Sequence, residues 1–198
     1  SLIKQTLGSQ AHVVVRAPEE EPRRHDGGDD GGGAAIAARV ERPAQRVRSI
    51  EQWQQVIAGL DRIPGVLATS PTVSGAAFAS RGNASKSVAL RGVIPELFNR
   101  IVDVESRMKE GSFRLLGGDA AIGTELAHDL GVGVGDKIRL VVAEGREEVF
   151  RVGGVFDMAN KDLNQRWVFV PLRAAQTLLD LAGGVSSIEI KIEEIFQA

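Results

Sequence analysis

The side chains that could do chemistry in this sequence are scattered. His12, His25 and His128 lie far apart, so no paired spacing of the kind that seats a metal joins them. There is no cysteine, which removes disulfides, thiolate metal sites, iron–sulfur clusters and cysteine nucleophiles together. Asp26, Asp29 and Asp30 are interrupted by glycine pairs and lack the alternating oxygen ligands and closing glutamate of a calcium loop. No Gly-x-Ser-x-Gly places a serine on a strained strand-to-helix turn, and Ser9 and Ser74-Gly75 read as turn residues. Glu147 with Glu148, and Glu193 with Glu194, are neighbours in sequence; on a strand they point to opposite faces, so neither pair forms an acid/base dyad. The glycine-rich segment from Gly131 to Gly135 follows a helix and opens a strand, the reverse of a phosphate-cradling loop, and reads as helix exit and turn. The expectation is a protein that is not an enzyme and uses no metal or cofactor.

Charge narrows the partners. The chain has 24 basic and 26 acidic side chains, interspersed, so no basic stripe supplies the counterion-release affinity that nucleic acid demands. Trp53 falls on the apolar face of a helix and reads as core. Trp167 follows the polar run Asn160–Arg166; it is either a strand residue packed inward or an exposed anchor. Arg146, Arg166 and Trp167 are the candidate partner-contact residues.

The elements that would position these residues are legible in part. His12–Val15 is a β-branched run and reads as a strand, followed from Pro18 to Gly33 by an acidic, glycine-rich stretch expected to be a mobile loop; Ile36–Val40 returns as a strand. Ser49 is placed to cap a helix to about Asp61, whose face carries Ile50, Trp53, Val56, Ile57 and Leu60. Val66–Val73, Ala76–Ala79 and Ser87–Leu90 read as strands, with Arg81-Gly82-Asn83 at a hairpin tip. Pro95 starts a short helix, and the region from Asp103 to Gly118 looks irregular. Ala120–Gly123 leads to a short helix capped by Thr124; Lys137–Val142 and Glu147–Val152, continuing to Phe156, form a hairpin around Glu144-Gly145. Trp167–Val170 is a strand, Leu172–Leu181 a helix, and Ser187–Ile192 an amphipathic strand alternating apolar and charged residues. The two helix-and-strand units, 49–73 and 171–192, predict an α+β fold with two lobes, one of them discontinuous. Its expected parts are 1–48, with the N-terminal strands and acidic loop; 49–102 with 171–198, a two-layer α/β lobe; and 103–170, an inserted β-rich lobe.

No run approaches the roughly 20 apolar residues that cross a bilayer. The opening Ser1-Leu2-Ile3 and the closing Phe196-Gln197-Ala198 are those expected of a domain cut from a longer protein.

Leu90-Arg91-Gly92-Val93-Ile94-Pro95, Ala121–Ala127, Leu130–Ile138, Phe150–Phe156 and Ile188–Ile192, in that order, resemble the MacB-type periplasmic core domain of ABC-transporter permeases, as in lipoprotein-releasing and macrolide-export systems. Gly8–Val15 is similar to the segment with which lipoprotein-releasing permeases leave their first transmembrane helix. The resemblance implies a domain inserted between two transmembrane helices of a bacterial inner-membrane protein, with porter-like and sabre-like lobes facing the periplasm. It also implies three partners: a cytoplasmic ATPase subunit, a second permease subunit, and a periplasmic carrier or exporter protein. The function implied is coupling of ATP hydrolysis to lipoprotein release or to export of an amphipathic substrate. The alternative is a free-standing periplasmic protein that binds a small ligand between its lobes. One departure bears on the carrier: the subunit that grips it bears a long proline-containing hook after the Gly-Asp strand, whereas the connection here is only Ala143-Glu144-Gly145-Arg146-Glu147.

Overall fold

Alternation of apolar and polar residues builds most of this molecule as sheet, and most of its left-handed turn positions are glycines. The computed structural model describes residues 2–6, 11–17 and 49–193. The acidic stretch from Pro18 to Gly33, the expected strand Ile36–Val40, Ser9, His25 and Glu194 lie outside the described residues.

Ten strands and five helices follow in chain order among the described residues: β1 (Leu2–Thr6), β2 (Ala11–Arg16), α1 (Trp53–Leu60), β3 (Val66–Arg81), β4 (Ala84–Val93), α2 (Pro95–Phe98), β5 (Met108–Gly111), β6 (Asp119–Gly123), α3 (Thr124–Leu130), β7 (Lys137–Val142), β8 (Glu147–Phe156), α4 (Lys161–Arg166), β9 (Trp167–Pro171), α5 (Leu172–Leu178) and β10 (Ser187–Ile192). The fold class is α+β, as expected.

The pairings form a closed circuit. β3 pairs with β4, β4 with β9, β9 with β6, β6 with β8, β8 with β7, and β7 returns to the second half of β3. The circuit closes into a barrel through parts of its strands, Ala89–Val93 of β4 against β9 and Ala77–Ser80 of β3 against β7. Its interior holds Ala79, Leu90, Ile122, Leu140, Phe150 and Val168, all fully buried. The first half of β3 pairs instead with β10, which pairs with β2, which pairs with β1, all antiparallel. β3 is therefore one 16-residue strand shared by barrel and end-strand sheet, where two strands were expected. Ser74 and Gly75, read as turn residues, lie inside it at the place where its partner changes. There the Ser74 amide donates to the Ser186 hydroxyl (2.7 Å).

One face of the end-strand sheet carries the helices. Val73, Ile188 and Ile190 join α5 residues Ala175 and Leu178 in the main apolar cluster, and Trp53, Ile57 and Leu60 of α1 pack against it. Gly92 is required here, because a Cβ at this position would overlap the Cβ of Ala175. On the opposite face Phe98, Phe113, Phe156 and Phe169 form a second cluster; Phe169 meets Phe98 and Phe113 at 5.3 Å and Phe156 at 5.5 Å between ring centroids, tilted or edge to face.

Four local readings are corrected. Ser49 does not cap α1: Ile50 pairs with Val185 through two backbone hydrogen bonds, and the helix begins only at Trp53 after Gln52 in a left-handed conformation. Tertiary pairing to the β10 approach overrides the capping preference. The polar run before Trp167 is the helix α4, with the Asn160 side chain accepting from the Asp162 and Leu163 amides. The region from Asp103 to Gly118 contains a 3-10 turn, Glu105–Arg107, and the edge strand β5. α5 also stops short of the expected Leu181, at Leu178.

Candidate functional site

The polar face of β10 is not a solvent face. Glu189 stands opposite Val14 on β2 and Ser70 on β3, and residues directly opposed across an antiparallel pair share a face. Counting by twos along each strand puts His12, Ser70, Thr72, Glu189 and, through its pairing with Ser74, Arg91 of β4 on that same face. His12, Ser70, Thr72 and Glu189 are all buried.

Glu189 is the hub. Its Oε1 accepts from an Arg91 terminal guanidinium nitrogen, and its Oε2 lies 3.4 Å from His12 Nε2, an ion-pair distance without hydrogen-bond alignment. The three side chains are 3% (Glu189), 8% (His12) and 19% (Arg91) exposed, so the Arg91–Glu189 pair acts largely out of water. Burial alone would raise the Glu189 carboxyl; the Arg91 charge and the His12 contact outweigh it and hold the group below the usual carboxylate range. The Arg91 guanidinium also lies over the Trp167 ring, 4.7 Å from its centroid, and 5.7 Å from that of Phe98. This joins the ion cluster to the phenylalanine cluster.

The three residues proposed as partner contacts are placed differently. Trp167 is half-buried, edge to face with Phe169 at 5.6 Å, so it packs inward and offers one face to Arg91. Arg166 is exposed and pairs with Asp162 one helical turn back (3.2 Å). Arg146, in the β7–β8 turn, donates from Nε to the Leu178 carbonyl at the end of α5 (2.8 Å) and from a terminal nitrogen to Glu144 (3.1 Å). No hydrogen bond or ion pair among the described residues links Arg146 to Arg166 or Trp167.

The glycine segment behaves as read. Gly131 ends α3 in a left-handed conformation, and the Asp136 carboxylate accepts from the Gly133 amide (2.9 Å) to hold the turn. His128 is exposed on α3. The β7–β8 connection is a tight turn in which the Val142 amide donates to the Arg146 carbonyl (3.0 Å).

On the helix side of the sheet, a groove of about 860 Å³ opens between α1, α5 and the β4–α2 junction. Trp53, Ile94, Pro95 and Leu172 supply its apolar wall, and Arg173 and Asp180 its charges. The sequence left the Glu189 hub unannounced, because an apolar–charged alternation looks the same whether its charged face meets water or other buried charges.

In fold, the molecule is similar to domains of this architecture from two bacterial transport proteins. It superposes on the extracellular domain of the transporter YknZ from Gram-positive bacteria with a TM-score of 0.56 at 16% identity, covering 75% of this chain and 76% of that one. For the periplasmic region of MacB from Actinobacillus actinomycetemcomitans the TM-score is 0.52 at 16% identity, covering 76% and 69%. The chain belongs to the MacB-like periplasmic core domain family, whose model matches residues 3–195. By sequence it is 25% identical over 154 residues to the lipoprotein-releasing system transmembrane protein LolC of Neisseria meningitidis serogroup B, covering 72% of this chain and 37% of that protein. It is 26% identical over 163 residues to LolE of Haemophilus influenzae, covering 76% and 39%. The chain thus spans well under half the length of these relatives. No helix among the described residues is long and apolar enough to cross a membrane.

Proposed function

We propose that this chain is the extracytoplasmic domain of a bacterial inner-membrane ABC-transporter permease and that it works without catalysis of its own. It couples ATP hydrolysis by a cytoplasmic ATPase subunit to release of a lipoprotein or export of an amphipathic substrate, alongside a second permease subunit. The observation that carries this reading is the family match over residues 3–195; the likeness to LolC and LolE favours lipoprotein release. β2 and β10, near the two ends of the described residues, lie side by side, so displacement of either passes directly to the other. The tight β7–β8 turn offers no extended hook, which argues against direct capture of a carrier by that hairpin.

The test is reconstitution of the full-length permease with its ATPase in vesicles carrying an acylated lipoprotein. ATP-dependent release that is lost when residues 49–192 are deleted supports the proposal; release indifferent to the deletion contradicts it. The groove of about 860 Å³ supports a second reading, a free-standing protein that binds a small amphipathic ligand there. A saturable thermal shift with such a ligand, lost on Trp53→Ala, favours that reading.

A further inference from the structure

Six buried side-chain polar atoms lack a hydrogen-bond partner among the described residues, and all belong to one layer: His12 Nδ1 and Nε2, Ser70 Oγ, Thr72 Oγ1, Arg91 Nε and Glu189 Oε2. Native interiors rarely leave such groups unpaired, and each one left so costs free energy. Elsewhere in the described structure no buried side chain carries this deficit. Among the described residues, this layer is the part of the interior least completely bonded by protein groups.

Its position gives the deficit a consequence. On the helix face, β2 and β10 are held by ordinary apolar packing through Val13, Ile188 and Ile190. On the other face Glu189 bonds Arg91 on β4 across the intervening β3 and stands 3.4 Å from His12 on β2. Arg91 in turn is stacked on Trp167, the first residue of the barrel strand β9. A single carboxylate thus adds a side-chain tie between the end strands and the barrel to the backbone pairing of β10 with β3, within a layer whose hydroxyls and imidazole have bonds to gain from water on opening.

We infer that Glu189, with His12 and Arg91, is a releasable latch: the β2–β10 pair opens locally from the rest of the domain along this polar face while the barrel stays folded. Apolar interiors and completed polar networks resist such opening, whereas an underbonded charged layer gains partners by it. The use of such a latch in transport rests on the permease reading above; its existence does not.

Hydrogen exchange of the whole 198-residue chain, resolved by segment, tests this. In the unmodified protein the β2 and β10 amides are expected to exchange at least about tenfold faster than those of β6 and β8. Glu189→Gln should widen that gap by a further factor of about ten, with barrel rates unchanged. The triple variant His12→Leu, Arg91→Met, Glu189→Leu replaces the layer by apolar side chains and should close the gap, bringing the end strands to barrel-like protection. If Glu189→Gln does not fold, the other two proteins decide. Common rates for end strands and barrel in the unmodified protein overturn the inference, because the domain then opens as one unit. So does a triple variant whose end strands still exchange ahead of the barrel, because the latch is then not the polar layer.

Discussion

The barrel interior and the polar face of the end-strand sheet are both withdrawn from water, and they are held by opposite means. In the barrel and the adjoining phenylalanine cluster, Leu90, Phe150, Phe156 and Phe169 are wholly buried and apolar. Across the sheet, Glu189, His12, Ser70 and Thr72 are buried nearly as completely, but their environment is charge and hydroxyl. Apolar burial is stabilising in proportion to the area hidden and tolerates imperfect geometry. A buried charge is stable only while each partner is in place, and removing one partner costs more than the pair contributes. The first region should therefore fail by loss of volume, the second by loss of pairing.

The largest expected effect is in the apolar region. Phe169→Ala removes the ring that Phe98, Phe113, Phe156 and Trp167 all touch, and should cost about 4 kcal/mol in urea unfolding. Next, Arg91→Met leaves Glu189 buried without its cation and should cost about 3 kcal/mol, although little volume is lost. The apolar triple variant of His12, Arg91 and Glu189 should fall within about 1 kcal/mol of the parent, a result that would separate pairing from packing.

Acid should distinguish the regions as well. Glu189 has its carboxyl lowered in the folded state, so the stability it adds is complete above the ordinary carboxylate value of 4.5 and is lost as pH falls through the lower folded value. Asp103, held low by hydrogen bonds from Ser106, and Asp157, held low by the Ala159 amide and Asn164, act in the same sense. Glu189→Gln should accordingly reduce the acid-induced loss of stability without abolishing it, which unfolding curves recorded from neutral to acidic pH would show. The smallest effect of a single substitution is at a site outside both regions: Asn160→Ala removes the cap of α4 and should cost about 1 kcal/mol.

The same contrast explains what could be read from the sequence. The hairpin tip at Gly82-Asn83, the exit of α3 at Gly131 and the alternation of β10 are set by local geometry and were legible. The resemblance carried by Leu90–Pro95 and Leu130–Ile138 pointed to the family that the comparison bears out. Ser49 was misplaced as a cap because its neighbour Ile50 pairs with Val185, more than a hundred residues away. Helix α4 was missed because six mostly polar residues show no apolar period, and its cap is a single asparagine. The Glu189 hub was invisible because its partners come from two strands, β2 and β4, distant in sequence. Only the register of β2, β3, β4 and β10 brings His12 and Arg91 to it.

The most direct test is a double-mutant cycle between Arg91 and Glu189, from the urea unfolding free energies of the parent, Arg91→Met, Glu189→Leu and the double variant. A buried, dependent pair predicts that the two single changes are far from additive, with a coupling of about 2–3 kcal/mol and a double variant more stable than either single one. Additivity within about 0.5 kcal/mol would contradict it, and would mean that the polar face is held by packing like the barrel.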